Sequence, residues 1–284
     1  GAPPGAANLW CVFCFVWGLG GNLREESRAA FDDHVRSSGM LDELDPSFPS
    51  AGSVFDLCVA SGMAKGGGAL PQPAAFVPWS SRVPAFSYAH GTPFFDVLVP
   101  TGETTCYESL RSMLLGINAH VMIVGDTGTG KSVLVQGFIS RLSDSYSAVN
   151  ASFSAQTSAR NMQDLLESKL DKLRKNLIGA TAGRRAVVFV DDINMPALEE
   201  YGAQPPIELV RQVLSQGGFY DLKKLFFKAV QNTAFISACG PPGGGRNAMT
   251  PRLIRHFNLL WISQMPQEAM VAIFGAILGG FFAV

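Results

Sequence analysis

The chain has little net charge, few cysteines and few long apolar runs, and each shortage excludes a class of protein. Its 284 residues carry 22 lysines and arginines against 23 acidic residues, a formal net charge of -1. This balance gives no electrostatic reason to expect nucleic acid or an anionic membrane as the main partner. Among the five cysteines, Cys11 and Cys14 form one C-x-x-C pair, with no second pair at a spacing typical of zinc sites. We therefore expect buried thiols in a reducing compartment.

Two apolar runs remain, and neither is typical of a targeting or membrane segment. Residues 9–19 lack the basic segment that precedes the apolar core of a signal peptide. Residues 269–284 carry no charge but are shorter than the roughly 20 residues that a membrane helix needs. We expect both runs to be core helices. The apolar end also predicts that this sequence is part of a longer chain.

A phosphate-binding loop is the most informative motif. The apolar run Val121-Met-Ile-Val124 leads into Gly125-Asp-Thr-Gly-Thr-Gly-Lys-Ser132, which has the spacing G-x-x-x-x-G-K-S. In such a loop the backbone N–H groups surround phosphates, Lys131 reaches the β- and γ-phosphates, and the Ser132 hydroxyl ligates Mg²⁺. Residues 133–142 are predicted to be helical, so the helix N-terminus would also favour the anion. The predicted nucleotide contacts are Gly125, Asp126, Thr127, Gly128, Thr129, Gly130, Lys131 and Ser132.

The rest of the pattern predicts an α/β fold. Apolar strands predicted at residues 121–124, 148–153, 186–190 and 233–238 alternate with helices predicted at 104–115, 132–142, 159–175, 206–215 and 251–255. This alternation is typical of a parallel sheet flanked by helices, with ligands at the carboxyl ends of the strands. Upstream, residues 8–35 have a helical pattern. Residues 37–93 are rich in proline, glycine and serine, with short extended pieces near 53–59 and 76–79.

The strand Ala186-Val-Val-Phe-Val190 delivers two carboxylates, Asp191 and Asp192, to its carboxyl end. In P-loop nucleotidases an acid at this place holds Mg²⁺, so we assign that role to Asp191. Asp192 is then the candidate general base that orients the attacking water. The alternative interpretation is a strand-ending Asx turn that leads into Asn194-Met-Pro196.

Two further segments are candidates for the site. The strand 233–238 is expected to end beside the γ-phosphate, where many such enzymes have a polar sensor. Here Gly240 instead begins a glycine-rich run, whose individual glycines are better explained as a flexible loop. Arg252 and Arg255 lie on a predicted short helix and could reach a neighbour's phosphate as an arginine finger. The alternative for these arginines is a solvated basic face.

Three motifs together resemble dynein heavy chains, and specifically the third AAA+ module of the motor ring. They are Phe189-Val-Asp-Asp-Ile-Asn-Met-Pro196, Tyr201-Gly-Ala-Gln-Pro-Pro-Ile-Glu-Leu209 and Gly240-Pro-Pro-Gly-Gly-Gly-Arg-Asn247. Upstream, Trp17-Gly-Leu-Gly-Gly-Asn22 is similar to the helical end of the second module. The resemblance covers nearly the whole chain, and its first and third motifs resemble axonemal rather than cytoplasmic heavy chains.

The resemblance implies a P-loop AAA+ fold with three parts. Residues 1–40 would be the helical end of the preceding module, residues 41–92 a linker with short extended segments, and residues 93–284 a large α/β subdomain that stops before its helical lid. It also implies ATP or ADP with Mg²⁺ as cofactors. The implied setting is a microtubule motor in the cytoskeleton of the cytoplasm, at the axoneme of a cilium or flagellum. Neighbouring AAA+ modules, dynein intermediate and light chains and microtubules are the implied partners, without nucleic acid or membrane.

By position, the resemblance also implies roles for single residues. Asp191 and Asp192 match the Walker B acids, and Val99 and Pro100 match a segment that packs near the adenine. Arg255, with Arg252 as second choice, matches an arginine that acts in trans on the nucleotide of the preceding module.

Some positions depart from the family pattern. Asp192 replaces a common glutamate, Gly240 replaces a polar sensor, Asp126 is unexpected in the phosphate loop, and residues 225–227 replace a charged stretch. The first two changes imply a slow or regulatory site that gates the main ATPase. The alternatives are a ring scaffold with little or no nucleotide turnover, or a stand-alone P-loop kinase or ATPase.

Overall fold

A computed structural model of the chain describes residues 6–44, 48–60, 74–88, 97–181, 183–222 and 225–282. The chain divides into two compact units, which are described separately. The first unit comprises residues 1–109 and 265–284, and the second comprises residues 110–264.

In chain order the elements are α1 Ala6–Gly20, α2 Glu25–Ser37, α3 Met40–Leu44, β1 Leu57–Ala60, β2 Ala75–Pro78, α4 Gly102–Gly116, β3 Val121–Gly125, α5 Lys131–Ser140, β4 Tyr146–Ser152, α6 Ala159–Lys169, β5 Asp171–Arg174, β6 Leu177–Gly179, β7 Arg185–Asp191, α7 Pro205–Gln216, β8 Gly218–Tyr220, β9 Phe227–Gln231, β10 Thr233–Cys239, α8 Pro251–Ile254, β11 Asn258–Ile262 and α9 Gln267–Phe282.

Aromatic side chains form the core of the first unit. The indole of Trp17 on α1 meets the ring of Phe55 edge-on at 5.5 Å and the ring of Tyr107 at 6.4 Å. The helical pattern predicted over residues 8–35 is confirmed as two helices, because the chain turns between α1 and α2. A Cβ atom at Gly20 would lie 2.7 Å from the Phe55 ring, so a glycine is needed where α1 ends against this core. The extended pieces predicted near residues 53–59 and 76–79 are found as the antiparallel pair β1–β2, preceded by a short 3₁₀ turn.

The two apolar runs behave differently. Residues 9–19 lie in α1, which buries Leu9, Val12, Phe13, Val16 and Trp17, so the expected core helix is confirmed. The second run is helical from Gln267 to Phe282, but none of the residues in α9 is buried, and the expectation of a core helix is wrong there. An all-apolar helix becomes core only where other elements surround it, and the described part of its unit leaves α9 largely exposed.

The expectation of buried thiols is correct for only part of the set. Cys58, Cys106 and Cys239 are buried, whereas Cys11 and Cys14 are exposed on α1. They are exposed because the apolar pattern of α1 is broader than the face of that helix that contacts the core. No helix in the described ranges combines the length and apolarity needed to cross a membrane.

The second unit is built on a parallel sheet, as predicted from the alternating pattern. Its described strands are ordered β11-β3-β10-β7-β4, and every neighbouring pair is parallel. The apolar residues of β3, β7 and β10 form the buried centre of this sheet, with Val187, Val188 and Val190 fully buried. The carboxyl ends of these strands share one edge, so the residues that follow them converge there. The edge strand β11 was not predicted.

A smaller sheet in the same unit, ordered β5-β6-β9-β8, was also not predicted. The helix expected over residues 159–175 ends at Lys169, and Asp171–Arg174 instead pairs antiparallel with β6. Pairing with β6 therefore overrides the local helical pattern. Lys228 on β9 joins this sheet to α6, since its Nζ lies 2.6 Å from Asp221 Oδ2 and 2.9 Å from Glu167 Oε2. In the unusual segment 225–227, Leu225 is exposed and Phe227 begins β9.

Candidate nucleotide-binding site

The phosphate loop, residues 125–132, connects the end of β3 to the start of α5. Gly128 and Gly130 have φ angles of 87° and 77°. Glycine adopts these left-handed conformations without the steric cost that a Cβ atom imposes. They allow the backbone to turn tightly, and Gly130 is also the N-cap residue directly before α5. The loop therefore leads directly into a helix N-terminus, the arrangement that binds phosphate through backbone N–H groups.

Lys131 folds back over this loop. Its side chain is 8% exposed, and its Nζ donates hydrogen bonds to the carbonyl oxygens of Gly125 at 2.9 Å and Asp126 at 2.6 Å. Burial lowers the pKa of Lys131, and the nearby Arg246 guanidinium lowers it further, while Asp192 acts in the opposite direction. The charges of Lys131, Arg246 and Asp192 are therefore close enough to interact electrostatically at this edge of the sheet.

The other loop residues are placed around this lysine. Thr129 is buried, and its hydroxyl donates to the Asp126 carbonyl at 3.0 Å. The Asp126 carboxylate accepts a hydrogen bond from Gln264 Nε2 at 3.4 Å. Thr127 is exposed, and Ser132 is half-buried in the first turn of α5.

The two carboxylates predicted at the second strand lie at the end of β7 and just beyond it. Asp191 ends β7, and its Oδ1 accepts a hydrogen bond from the backbone N–H of Asp192 at 3.1 Å. Asp192 has a φ angle of 49°, which turns the chain sharply after the strand. A turn does follow, since Met195 N donates to the Asp192 carbonyl at 2.9 Å. The interpretation as a strand-ending turn is thus compatible with a role for Asp191 and Asp192 in a site.

The glycine-rich loop, residues 240–247, follows β10. Asn194 is buried, and its Nδ2 donates to the carbonyl oxygens of Gly240 at 2.9 Å and Asn247 at 3.2 Å. Gly243 and Arg246 exchange two backbone hydrogen bonds, of 2.9 Å and 3.0 Å. The loop therefore forms a hydrogen-bonded turn that is fastened at both ends to the segment after β7.

Arg246 brings these segments together. Its Nη2 lies 3.3 Å from Asp192 Oδ1, and its Nη1 donates to Thr127 Oγ1 at 3.2 Å. One guanidinium thus joins the candidate base to the phosphate loop. Sequence reasoning assigned no role to Arg246 because its partners lie 54 and 119 residues away. The only local signal is an arginine at the end of three consecutive glycines.

The remaining candidates lie elsewhere in their units. Arg252 is exposed on α8, and Arg255 is exposed directly after it. Val99 is buried and Pro100 half-buried, and both belong to the first unit, whereas the phosphate loop belongs to the second. The roles of these four residues stay predictions.

The residues present fit a nucleoside phosphate with Mg²⁺. The loop supplies backbone N–H groups and a buried lysine for the phosphates. The oxygens of Ser132 and Asp191 are the hard ligands that Mg²⁺ prefers, and Mg²⁺ commonly uses only one or two protein ligands together with phosphate oxygens and water. In the described part of the chain, no group of three or more His, Cys, Asp or Glu residues forms a site able to hold a metal ion.

Family models match this chain in two segments. Residues 86–265 match the model of the P-loop containing dynein motor region, and residues 6–66 match the model of the dynein heavy chain AAA lid domain. The first match includes the phosphate loop, both carboxylates and the glycine-rich loop.

Curated relatives are similar over almost the whole chain. Dynein axonemal heavy chain 6 of Homo sapiens is 43% identical over 274 residues, which is 96% of this chain and 6% of that protein. Dynein axonemal heavy chain 1 of Homo sapiens is 38% identical over 280 residues, or 96% of this chain and 7% of that protein. The dynein-1-beta heavy chain of the flagellar inner arm I1 complex of Chlamydomonas reinhardtii is 35% identical over 277 residues, or 97% of this chain and 6% of that protein. The chain therefore spans only a small part of the length of these relatives.

Proposed function

Because the chain belongs to the dynein heavy-chain family, we propose that its second unit is an ATP-binding AAA+ module of an axonemal-type heavy chain. The observation that carries this proposal is the buried Lys131 over a glycine loop that opens into α5. Lysine and backbone N–H groups in this arrangement are suited to a polyphosphate. Two relatives, at 43% and 38% identity, are named axonemal heavy chains, which supports the axonemal assignment.

The roles of the site residues follow from their chemistry. Residues 125–132 would hold the phosphates, with Lys131 turning from the loop carbonyls to the β- and γ-phosphates. Ser132 and Asp191 would hold Mg²⁺, which neutralises phosphate charge when bound. Asp192 would orient the attacking water and accept its proton.

Further roles are proposed by position in the family. Val99 and Pro100 would line the adenine side of the nucleotide, and the exposed Arg255, with Arg252 as second choice, would reach the nucleotide of the preceding module. The proposed parts remain a helical end over residues 1–40, a linker over 41–92, and the α/β subdomain over 93–284. The matched lid model over residues 6–66 supports the first of these parts.

We propose that this site is slow or regulatory, so that its nucleotide state gates the main ATPase of the motor. Aspartate is one methylene shorter than the usual glutamate, and a misplacement of about 1 Å can cost about 100-fold in rate. The proposed partners are the neighbouring AAA+ modules, dynein intermediate and light chains, and microtubules. The proposed location is the axoneme of a cilium or flagellum, within the cytoskeleton.

The experiment is a titration of the full-length protein with fluorescent ATP and Mg²⁺, comparing the native protein with Lys131→Ala. We expect the variant to lose one bound nucleotide per chain, because it lacks the buried ammonium that would contact the phosphates. Lys175→Ala is the matched control, since Lys175 is exposed in the turn between β5 and β6. Unchanged occupancy in Lys131→Ala would contradict the proposal.

A ring scaffold with little turnover is the second candidate. The observation that favours it is the ion pair between Asp192 and Arg246, because a carboxylate in contact with a guanidinium is less available to orient a water. Measuring ATP hydrolysis under single-turnover conditions distinguishes a slow nucleotide site from a ring scaffold. If Asp192→Glu raises the rate assigned to this site, the site turns over ATP slowly, whereas an absent rate in both proteins supports the scaffold.

A further inference from the structure

We propose that Arg246 is a positioning residue of this site, which holds Asp192 against the phosphate loop and exchanges this contact for the terminal phosphate of a bound triphosphate. The inference rests on the proposed function of the loop as a nucleotide site. It adds a residue that distinguishes a triphosphate from a diphosphate.

The first argument is the position of the guanidinium. Its two terminal nitrogens have different partners, Asp192 on the β7 side and Thr127 on the phosphate loop. A group that spans from the candidate base to this loop lies where the outer phosphate of a bound nucleotide is expected. The side chain of Arg246 is only 20% exposed, so it is held in place rather than free in solvent.

The second argument is the neighbouring Gly240. A Cβ atom at this position would lie 2.6 Å from Arg246 Cδ and 2.7 Å from its Nε. Contacts this short do not occur, so any larger residue would displace the arginine. Gly240 occupies the place where a polar sensor was expected, and its missing side chain is what lets Arg246 cross over it. The polar group at this place is thus the guanidinium of Arg246, six residues after Gly240 in the chain.

The third argument is the fixed path of the loop. Asn194 fastens the carbonyl oxygens of Gly240 and Asn247, and Asn247 Nδ2 in turn donates to the Pro196 carbonyl at 2.8 Å. Gly243 and Arg246 close the turn between these anchors. The anchors also connect Arg246 to the segment that carries Asp192. A shift of either side chain would therefore move the other.

The fourth argument is the competition between anions. The pair with Asp192 is a single contact of 3.3 Å to a carboxylate whose side chain is 39% exposed, and partly solvated pairs of this kind are weak. Phosphate oxygens form stronger, often bidentate, bonds with guanidinium. The repulsion between Arg246 and Lys131 would also be relieved by a phosphate between them. A triphosphate would therefore release Asp192 toward water, and a diphosphate would leave the pair closed.

The test measures the affinities of the full-length protein for the magnesium complexes of ADP and of the non-hydrolysable triphosphate AMP-PNP. Binding at this site is the part that Lys131→Ala removes. We expect Arg246→Gln to bind Mg·ADP as the native protein does, but to lose about tenfold in its preference for Mg·AMP-PNP, as expected for one charge-assisted contact. Retained Mg·ADP binding also shows that the variant is folded.

Three variants serve as controls and as a second route. Arg246→Lys keeps the charge and should retain most of the preference. Gly240→Ala displaces the arginine without removing its charge and should resemble Arg246→Gln, with no additional loss in the double variant. Arg160→Gln, on an exposed arginine of α6, should change neither affinity.

Two results would overturn the proposal. Equal losses for both nucleotides in Arg246→Gln would mean that the arginine only supports the loop, and an unchanged preference would mean that it does not contact the terminal phosphate. A native protein with no Lys131-dependent binding of either nucleotide would instead remove the proposed function, and the inference with it.

Discussion

The phosphate loop and the glycine-rich loop lie at the same edge of one sheet, yet they encode their geometry in different ways. The phosphate loop fixes its shape locally, since its glycines, lysine and helix start all lie within residues 125–132. The glycine-rich loop depends on partners far along the chain, namely Asn194, Asp192 and Thr127. The comparison shows that one site can combine two kinds of feature. The phosphate loop can be predicted from the spacing of its residues, whereas Arg246 reaches the site only because of the fold.

The largest expected effect comes from removing the anchor of the glycine-rich loop. Asn194→Ala leaves the Gly240 and Asn247 carbonyls without their donor in a buried place, which should cost about 2 kcal/mol. The free energy of opening of β10, measured by hydrogen exchange, should fall by that amount. Asn150→Ala, at an exposed position of β4, should change it by less than about 0.5 kcal/mol. Equal effects at both positions would show that the anchor contributes nothing specific.

The next effect tests the local encoding of the phosphate loop. Gly130→Ala forces a Cβ atom into a left-handed conformation, at a cost of about 1 kcal/mol, although the added carbon has no neighbour within 4 Å beyond the adjacent residues of the chain. Gly116→Ala is the matched control because its site is equally open, its φ is not positive, and alanine favours the helix there. Thermal denaturation should show a loss for the first variant only. A neutral Gly130→Ala would mean that the loop relaxes to another shape.

A smaller effect is expected where the two loops meet. Thr127→Val removes the hydroxyl that accepts from Arg246 Nη1, and the remaining contact to Asp192 should keep the arginine nearly in place. We expect a change of about twofold in the preference for triphosphate over diphosphate, because water competes with a single hydrogen bond from the guanidinium to an exposed hydroxyl. Thr181→Val is the control, at another exposed threonine. A tenfold change, equal to that of Arg246→Gln, would assign the positioning to Thr127 instead.

The smallest effect concerns the opposite end of the sheet, away from both loops. His120 Nδ1 accepts a hydrogen bond from the Phe235 N–H at 3.1 Å, and burial, with a smaller contribution from His256, lowers its pKa below the ordinary 6.5. The unfolded chain therefore binds the proton first as pH falls. Stability is complete above the ordinary pKa and declines as pH falls through it toward the lowered value.

Hydrogen exchange of β10 between about pH 5 and pH 7.5 would measure this decline. His120→Asn keeps an acceptor for Phe235 and cannot be protonated in this range, so it should flatten the dependence. A part of the slope should remain, because His256 also has a lowered pKa, caused by burial and the nearby Arg255 and Arg211. An unchanged slope would mean that His120 does not carry the effect.

How much of the molecule could be predicted depended on how local the signal was. The strands β3, β4, β7 and β10 were found within a few residues, because the largely apolar runs of β3, β7 and β10 are typical of buried parallel strands. The phosphate loop was found because its spacing is fixed. In contrast, β5, β6, β8 and β9 are only three to five residues long, and only their pairing with one another makes them strands.

Dependence on distant parts of the chain also explains the two wrong predictions, at residues 159–175 and at α9, and the omission of Arg246. The helical pattern of residues 159–175 was overridden by the pairing of β5 with β6. The apolar run in α9 predicted burial, but burial depends on which other elements surround the helix. Arg246 was missed because nothing in a glycine-rich run fixes where its last side chain lies.

Hydrogen exchange of the phosphate loop in the full-length protein tests the central claim most directly. The amides of residues 128–132 would be measured with and without the magnesium complex of AMP-PNP, in the native protein and in Lys131→Ala. The account predicts that nucleotide slows exchange at these amides in the native protein, because they would donate to phosphate oxygens, and leaves them unchanged in Lys131→Ala. Exchange that is the same with and without nucleotide in the native protein would contradict the claim that this loop is a nucleotide site.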